Sequence, residues 1–180
     1  MLENMILGII SCQDATGYDI KKVIETKLCL FYKSSFGSLY PALKRLLEKG
    51  YVTTYEQAQG ARQKIFYRIT EAGRDSFMEW LAVPMEISDG GSKNLVKIYF
   101  YDLLSADIRN MLLLRYEQDN MQYLKQLEKL ESELSSKVDQ EKDYYKFSTL
   151  YYGIVITKQT IEWCRHIRQG GALQELLLEM

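Results

Sequence analysis

Apolar side chains recur at helical spacing from the first residues of the chain. Leu2, Met5, Ile6, Ile9 and Ile10 follow the series i, i+3, i+4, i+7, i+8 of a helix with one buried face, expected to end near Cys12. Thr16 stands three residues before Asp19, a short-armed capping box, and opens a second helix striped by Ile20, Val23, Ile24 and Leu28. A turn over residues 29–33 leads to a third stripe of Leu39, Leu43, Leu46 and Leu47, closed by Gly50 in the manner of a C-cap. The period then drops to two. Ile65, Tyr67 and Ile69 alternate with Lys64, Phe66 and Arg68, and YVTTYEQ at 51–57 is rich in β-branched and aromatic residues. Both stretches read as strands, joined through a hairpin tip at AQGAR. A fourth helix is expected after Thr70 as N-cap, packed through Phe77, Trp80 and Leu81.

Pro84 and the run SDGGS at 88–92 break the chain into regions. Beyond them the pattern is almost wholly helical: 95–104, then 106–138, then 143–168. Tyr123, Leu127, Leu130 and Leu134 have coiled-coil spacing, over fewer heptads than a coiled coil requires. Long helices with Glu, Lys and Gln on their other faces need a partner surface. The second long helix, another copy of the chain, or both can supply it, and a symmetric dimer closes the apolar seam more fully than a helical hairpin alone. Phe147, Tyr151 and Ile154 on the last helix complete the expected dimerisation surface. The division is then 1–83, a linker at 84–92, and a helical dimerisation and effector domain at 93–180.

Three helices followed by a two-stranded hairpin is the order of a winged helix-turn-helix, whose third helix enters the major groove while the hairpin tip reaches the backbone. The expected fold is therefore mainly α: an N-terminal winged helix-turn-helix with a two-stranded β-hairpin wing, then an all-helical C-terminal dimerisation domain with two long helices. On a 100° wheel, Ser34, Gly37, Ser38, Pro41, Lys44, Arg45 and Glu48 lie on or near the face opposite the leucines, with Tyr40 at the boundary. Small residues let the backbone approach DNA, and the hydroxyls of Ser34, Ser35 and Ser38, with the free N–H groups of the helix start, can bond phosphate oxygens. Lys44 and Arg45 can reach bases or phosphates, and Tyr40 can donate its hydroxyl to a phosphate. Pro41 is tolerated only in a first helical turn, which puts the start of the regular helix near Gly37 or Ser38. Just after Gly60, Arg62 and Lys64 flank Gln63 and make the hairpin tip positive. An ordinary solvent-facing helix start with capping serines is the competing reading.

Composition sharpens this picture. The 180 residues are 47% hydrophobic and 26% charged, ordinary for a soluble chain that can bury a core and divide into one or two domains. No apolar run approaches the roughly 18 residues needed to cross a bilayer, and Glu3 stands where a secretory signal would carry Lys or Arg. A cytoplasmic protein with no membrane partner is expected. The net charge of −1 hides a division: residues 32–70 hold seven bases against two acids, and residues 84–180 hold 12 bases against 15 acids. A local positive excess on a near-neutral chain suits a polyanion at one face. Cys12, Cys29 and Cys164 lack CxxC spacing and read as buried thiols, with thiol-based redox sensing the alternative. His166 and Cys164 would point about 200° apart on a helix, which suggests neither a catalytic pair nor a metal site. No GxSxG, Walker loop or GxGxxG is present. Binding without metal or cofactor, rather than catalysis, is the expectation.

Leu7-Gly8, Gly17-Tyr18-Asp19-Ile20, Gly37-Ser38-Leu39-Tyr40-Pro41-Ala42-Leu43, Leu46, Gly50-Tyr51-Val52 and Tyr67-Arg68-Ile69-Thr70-Glu71-Ala72-Gly73 are the residues through which the chain resembles the PadR family of bacterial transcriptional regulators. The likeness covers the first 75 residues or so, and GSLYPAL followed by YRITEAG is its specific part. Beyond it, the chain resembles the longer PadR subgroup in length and helical character. The resemblance implies a homodimeric winged-helix repressor that binds an inverted-repeat operator in double-stranded DNA, often beside its own gene or a transporter or detoxification gene. It implies release by a small molecule in some members. Tyr18, Ser38 and Tyr40 match the family's DNA-contacting positions, and Gly60, Arg62 and Lys64 match its wing. Gly60-Ala61-Arg62-Gln63 departs from the Gly-Arg-Pro tip of many relatives, which implies a weaker or differently placed wing contact.

An effector is marked only by rings. Tyr99, Phe100 and Tyr101 follow the linker, and Tyr144, Tyr145, Phe147, Tyr151 and Tyr152 crowd the last helix. A ring-lined pocket with a few hydroxyls would suit a planar aromatic acid or drug-like molecule; the same spacing serves simple core or dimer packing. Besides a DNA-binding regulator, a winged-helix protein-interaction module without DNA binding stays open on the residues alone.

Overall fold

A computed structural model describes residues 1–28, 36–59, 62–87, 92–135 and 142–177. Cys29, Ser34, Ser35 and Gly60, singled out above, lie outside them. The chain forms two compact units.

The first unit comprises Met1–Val83 and Ser88–Leu104. Its elements run α1 (Leu2–Cys12), β1 (Ala15–Thr16), α2 (Gly17–Lys27), a 3-10 turn at Phe36–Ser38, α3 (Leu39–Glu48), β2 (Val52–Gln59), β3 (Arg62–Ile69), α4 (Glu71–Ala82), α5 (Ser92–Tyr99) and a 3-10 turn at Tyr101–Leu103. The capping box is present at α2: Thr16 Oγ1 accepts the Asp19 N–H at 3.2 Å and Asp19 Oδ2 accepts the Thr16 N–H at 3.1 Å. That arrangement satisfies two orphan donors of the helix start.

The expected two-stranded hairpin is present, and among the described residues a third strand, β1, joins it. The sheet order is β1-β3-β2, with Ala15 opposite Tyr67 and Thr16 opposite Phe66 in the added antiparallel pair. A two-residue strand is too short to show any alternation, so the pattern could not announce it. The hairpin itself pairs Val52 with Ile69 through to Gln59 with Arg62.

Leu39, Ala42, Leu43 and Leu46 of α3 are buried, whereas Leu47 is 38% exposed. This corrects the expected stripe: Leu47 falls outside the roughly 100° arc that the other four occupy, and Ala42 takes the inward place. After α3, Gly50 adopts φ 68°. The Gly50 N–H donates to Leu47 O at 3.0 Å and the Tyr51 N–H to Leu46 O at 3.0 Å, a Schellman closure that needs a left-handed residue at position 50. The chain emerging from this closure is locked against α4. Tyr51 O accepts the Thr70 N–H at 3.0 Å, Thr70 Oγ1 donates to Gly50 O at 2.7 Å, and a β-carbon on Gly73 would overlap the Tyr51 carbonyl. The family-like runs GYV and TEAG are thus two halves of one backbone junction.

The segment 93–104 was expected in the C-terminal domain, and as a helix over 95–104. It packs instead on the first unit, and its helix stops at Tyr99. Phe100 turns into the core, edge-on to Phe77 with ring centroids 5.6 Å apart, over Gly8, where a β-carbon would stand 2.7 Å from the Phe100 ring. Lys97 is 1% exposed, donating to Val83 O at 2.6 Å, 5.3 Å from the Trp80 ring centre.

The second unit comprises Pro84–Ile87 and Ser105–Met180. It is built on two long helices, α6 (Ala106–Ser135) and α7 (Tyr144–Gln169). They run antiparallel: Glu117 meets Arg165 and Arg168, Glu128 meets Lys158, and Glu131 meets Tyr151. Leu113, Tyr116, Phe147, Ile154, Ile161 and Cys164 are buried in this unit. Among the described residues no helix is long and apolar enough to cross a membrane.

Candidate nucleic-acid interface

The outward side of α3 is set by how the helix begins. Ser38 is its N-cap, so Pro41 is the third helical residue, inside the first turn where backbone N–H groups lack intrahelical partners. The helix start therefore falls where Pro41 required it. Gly37 is exposed, with no atom within 4 Å of where its β-carbon would be, and Ser38 is half-buried. Tyr40 is 64% exposed and Tyr18 is 71% exposed. The Tyr40 ring lies on Gly17, the residue that precedes Tyr18 at the start of α2. Tyr67 of β3 adds a third phenol: burial first, then the neighbouring Tyr40, pushes its hydroxyl above the ordinary range. Gly17 and Tyr67 were missed as site residues, because only the fold brings α2, α3 and β3 to one place.

The cations of α3 divide. The Lys44 side chain is 78% exposed, and its Glu48 neighbour one turn on is 3.8 Å away, a loose surface pair. Arg45 turns to the flank instead. Its Nε donates to Glu3 Oε1 at 2.7 Å, while Lys49 Nζ donates to Glu3 Oε2 at 2.8 Å. The Lys49 hydrogen bond, and then Arg45, hold the Glu3 carboxyl below the usual range against the opposing effect of partial burial. Lys44 and Arg45 are consecutive, hence about 100° apart on the helix, which is why one faces outward and the other reaches α1.

In the wing, Gln63 and Lys64 are exposed, and Arg62 opens β3 opposite Gln59. At the wing's base, Asp14 Oδ2 accepts from Arg68 Nε at 2.8 Å, from Arg68 Nη2 at 2.6 Å and from the Tyr55 hydroxyl at 2.9 Å. The Arg68 guanidinium holds the Asp14 carboxyl below its ordinary range. Three of the bases counted in the positive stretch, Arg45, Lys49 and Arg68, thus already face carboxylates of α1 or its following loop. Among the described side chains of that stretch, Lys44 and Lys64 are exposed cations that meet no carboxylate of α1 or its following loop.

The second unit holds the other singled-out residues. Phe147 and Ile154 are each 8% exposed; Tyr123, Leu130 and Tyr151 are 37%, 43% and 42% exposed. Leu127 and Leu134 are half-buried. Burial, with Glu117's charge adding to it, pushes the Cys164 thiol up to about 12, whereas Cys12 is exposed. Glu117 is buried, accepting from Arg165 Nε at 3.2 Å and from Arg168 Nη2 at 3.0 Å.

Residues 6–79, which carry α1 to α4 and the wing, match the Transcriptional regulator PadR-like family. Those residues are less than half of the chain, so the match is a likeness to that family. Its members are transcriptional regulators, not enzymes, and residues 92–170 of this PadR-like chain further match the Virulence activator alpha C-term family. The Negative transcriptional regulator PadR of Bacillus subtilis (strain 168) is 29% identical over 110 residues, which is 58% of this chain and 59% of that protein, so the match spans less than two thirds of the relative's length. Among solved structures, Bacillus subtilis PadR in complex with operator DNA is 24% identical, with 93% of this chain and 97% of that one covered and a TM-score of 0.43. A PadR-like transcriptional regulator from Bacillus cereus is 23% identical, with 93% and 94% covered and a TM-score of 0.43.

Proposed function

We propose that this PadR-like chain is a cytoplasmic, homodimeric repressor that binds an inverted-repeat operator in double-stranded DNA through α3 and the wing. The observation that carries the reading is the exposure of Tyr18 and Tyr40, 71% and 64%, with the Tyr40 ring on Gly17 next to Tyr18. Two exposed phenols near the helix starts suit phosphate oxygens. Lys44 supplies charge one turn further along the same face, and Lys64 supplies it at the wing, where Arg62 and the backbone of Gly60 are further proposed contacts. Ser38 adds a hydroxyl at the helix start, Ser34 and Ser35 are further proposed contacts, and Arg45 can join them on leaving Glu3. Repression follows the name of the Bacillus subtilis relative, a negative transcriptional regulator.

Dimerisation uses Tyr123, Leu130 and Tyr151, whose apolar surface the helical hairpin leaves uncovered, with Leu127 and Leu134 alongside. Phe147 and Ile154 support that surface from within. A small aromatic effector is the ligand class best suited to the second unit, where a hollow of about 300 Å³ is lined by Tyr144, Phe147, Ser148 and Tyr151.

The test is binding to DNA upstream of the chain's own gene, titrated against salt, since neutralised phosphates make affinity fall steeply as salt rises. Lys44→Ala with Arg45→Ala is expected to remove most of that binding, with helicity and dimerisation intact. Parental affinity in the double variant would show that α3 does not enter the groove.

A further inference from the structure

The Glu3 carboxylate is an odd neighbour for a DNA-reading helix. It projects from α1, yet both of its oxygens are taken by cations of α3, Arg45 at 2.7 Å and Lys49 at 2.8 Å. Arg45 and Lys49 are one turn apart, so a single carboxylate can bridge them, and the three groups form the α1–α3 flank beside the exposed Lys44. The pair is half in water: the side chains of Arg45 and Lys49 are 51% and 49% exposed and Glu3 is 24% exposed. Neither cation is buried behind the carboxylate. Each can exchange it for another anion of the same geometry by a side-chain rotation, without moving the helix.

We propose that Glu3 is a positioning residue for DNA binding: its carboxylate stands in for a phosphate, holding Arg45 and Lys49 at the flank of α3 and lowering affinity for the sugar-phosphate backbone. This rests on the reading of α3 as the DNA-binding helix. With Glu3 in place, α3 offers Lys44 against only a loose surface pair with Glu48, and the other two against the competition of a tethered anion at hydrogen-bond distance. That competition is independent of DNA sequence, so it suppresses non-specific binding most, where phosphate contacts carry nearly all the affinity. An operator whose bases hold the helix in register can still draw Arg45 or Lys49 across.

The experiment compares the full-length parent, Glu3→Gln, Glu3→Gln with Arg45→Ala and Lys49→Ala, and Glu79→Gln, an exposed carboxylate on α4 that controls for net charge. Affinity for a non-specific duplex is titrated from about 0.05 to 0.2 M salt. Each cation released to a phosphate steepens the slope of log K against log salt by about 0.9 and raises affinity about five- to tenfold near 0.1 M. Glu3→Gln is expected to bind more tightly, with a slope steeper by about 0.9 to 1.8, and the triple variant to lose that gain. Glu79→Gln should keep the parental slope. An unchanged slope in Glu3→Gln, or an equal steepening in Glu79→Gln, would overturn the proposal. Lys44→Ala, run alongside, separates the two levels: if it too leaves the salt-dependent binding intact, the reading of α3 fails; if it weakens binding while Glu3→Gln does not steepen it, only the role of Glu3 fails.

Discussion

The ring of Tyr40 rests on the backbone of Gly17, so close that a β-carbon at position 17 would stand 3.2 Å from Tyr40 Cε1. This contact joins the first residue of α2 to the first turn of α3 and sets where the Tyr40 hydroxyl points. Gly17→Ala is expected to displace the ring and lower DNA affinity several-fold, while folding stability changes by less than about 1 kcal/mol, because alanine suits a helix better than glycine. Tyr40→Phe keeps the ring and removes the hydroxyl, which should cost about 1 kcal/mol of binding. The same salt titration measures both, and unchanged affinity in the two variants would remove Tyr40 from the interface.

Gly73 and Gly50 are both glycines for backbone reasons, but their replacements should differ in cost. At Gly73 an added methyl collides with the Tyr51 carbonyl, which also accepts from Thr70, so the junction of β2 and α4 must open. Gly73→Ala is expected to destabilise the protein by about 3 kcal/mol, as overpacking does. Gly50→Ala meets open space and pays only for its φ of 68°, about 1 kcal/mol. Urea unfolding of the two variants gives the order, and the reverse order would refute the junction.

Acid should loosen the wing's attachment. Asp14 is held below its ordinary range chiefly by Arg68, so its bond stabilises the fold above the ordinary carboxylate pKa and is lost as pH falls through the lowered folded value. Asp14→Asn should therefore be less stable than the parent near pH 7, by under about 1 kcal/mol for so exposed a pair. The gap should close as pH falls below the ordinary carboxylate range. Denaturant midpoints across that window test the sign; a gap that widens toward acid would contradict it.

Thiol labelling should distinguish the two described cysteines. With the Cys164 thiol pushed up to about 12 by burial, its thiolate is scarce at pH 8, whereas Cys12 is exposed. In a Cys29→Ser variant, a disulfide reagent is expected to modify Cys12 first and Cys164 only on unfolding. Two thiols reacting at one rate in the folded protein would mean that Cys164 is not packed between α6 and α7.

Local chemistry was legible wherever a rule spans only a few residues. Thr16 and Asp19 announced their capping box, Pro41 dated the start of α3, and Gly50 marked its end, because each depends on backbone groups within one turn. Leu47 was misread because a stripe of leucines is ambiguous at its edge, and which edge residue turns inward depends on what packs there. Phe100 stopped its helix at Tyr99 for a similar reason: the ring belongs against Phe77 and Gly8, more than 20 and 90 residues away. The strand at Ala15–Thr16 had no period to show.

By itself, the order of apolar periods determined three helices, a hairpin and a helical second unit, since burying one face at 3.6 or 2 residues per repeat leaves few other folds. It also determined that the start of α3 is bare and polar. Which charges remain open to a polyanion was decided only by tertiary structure. Arg45 and Lys49 meet Glu3 across 42 and 46 residues, and Arg68 meets Asp14 across 54. Coulomb attraction acts through space, and no local pattern records which distant carboxylate will arrive beside which cation.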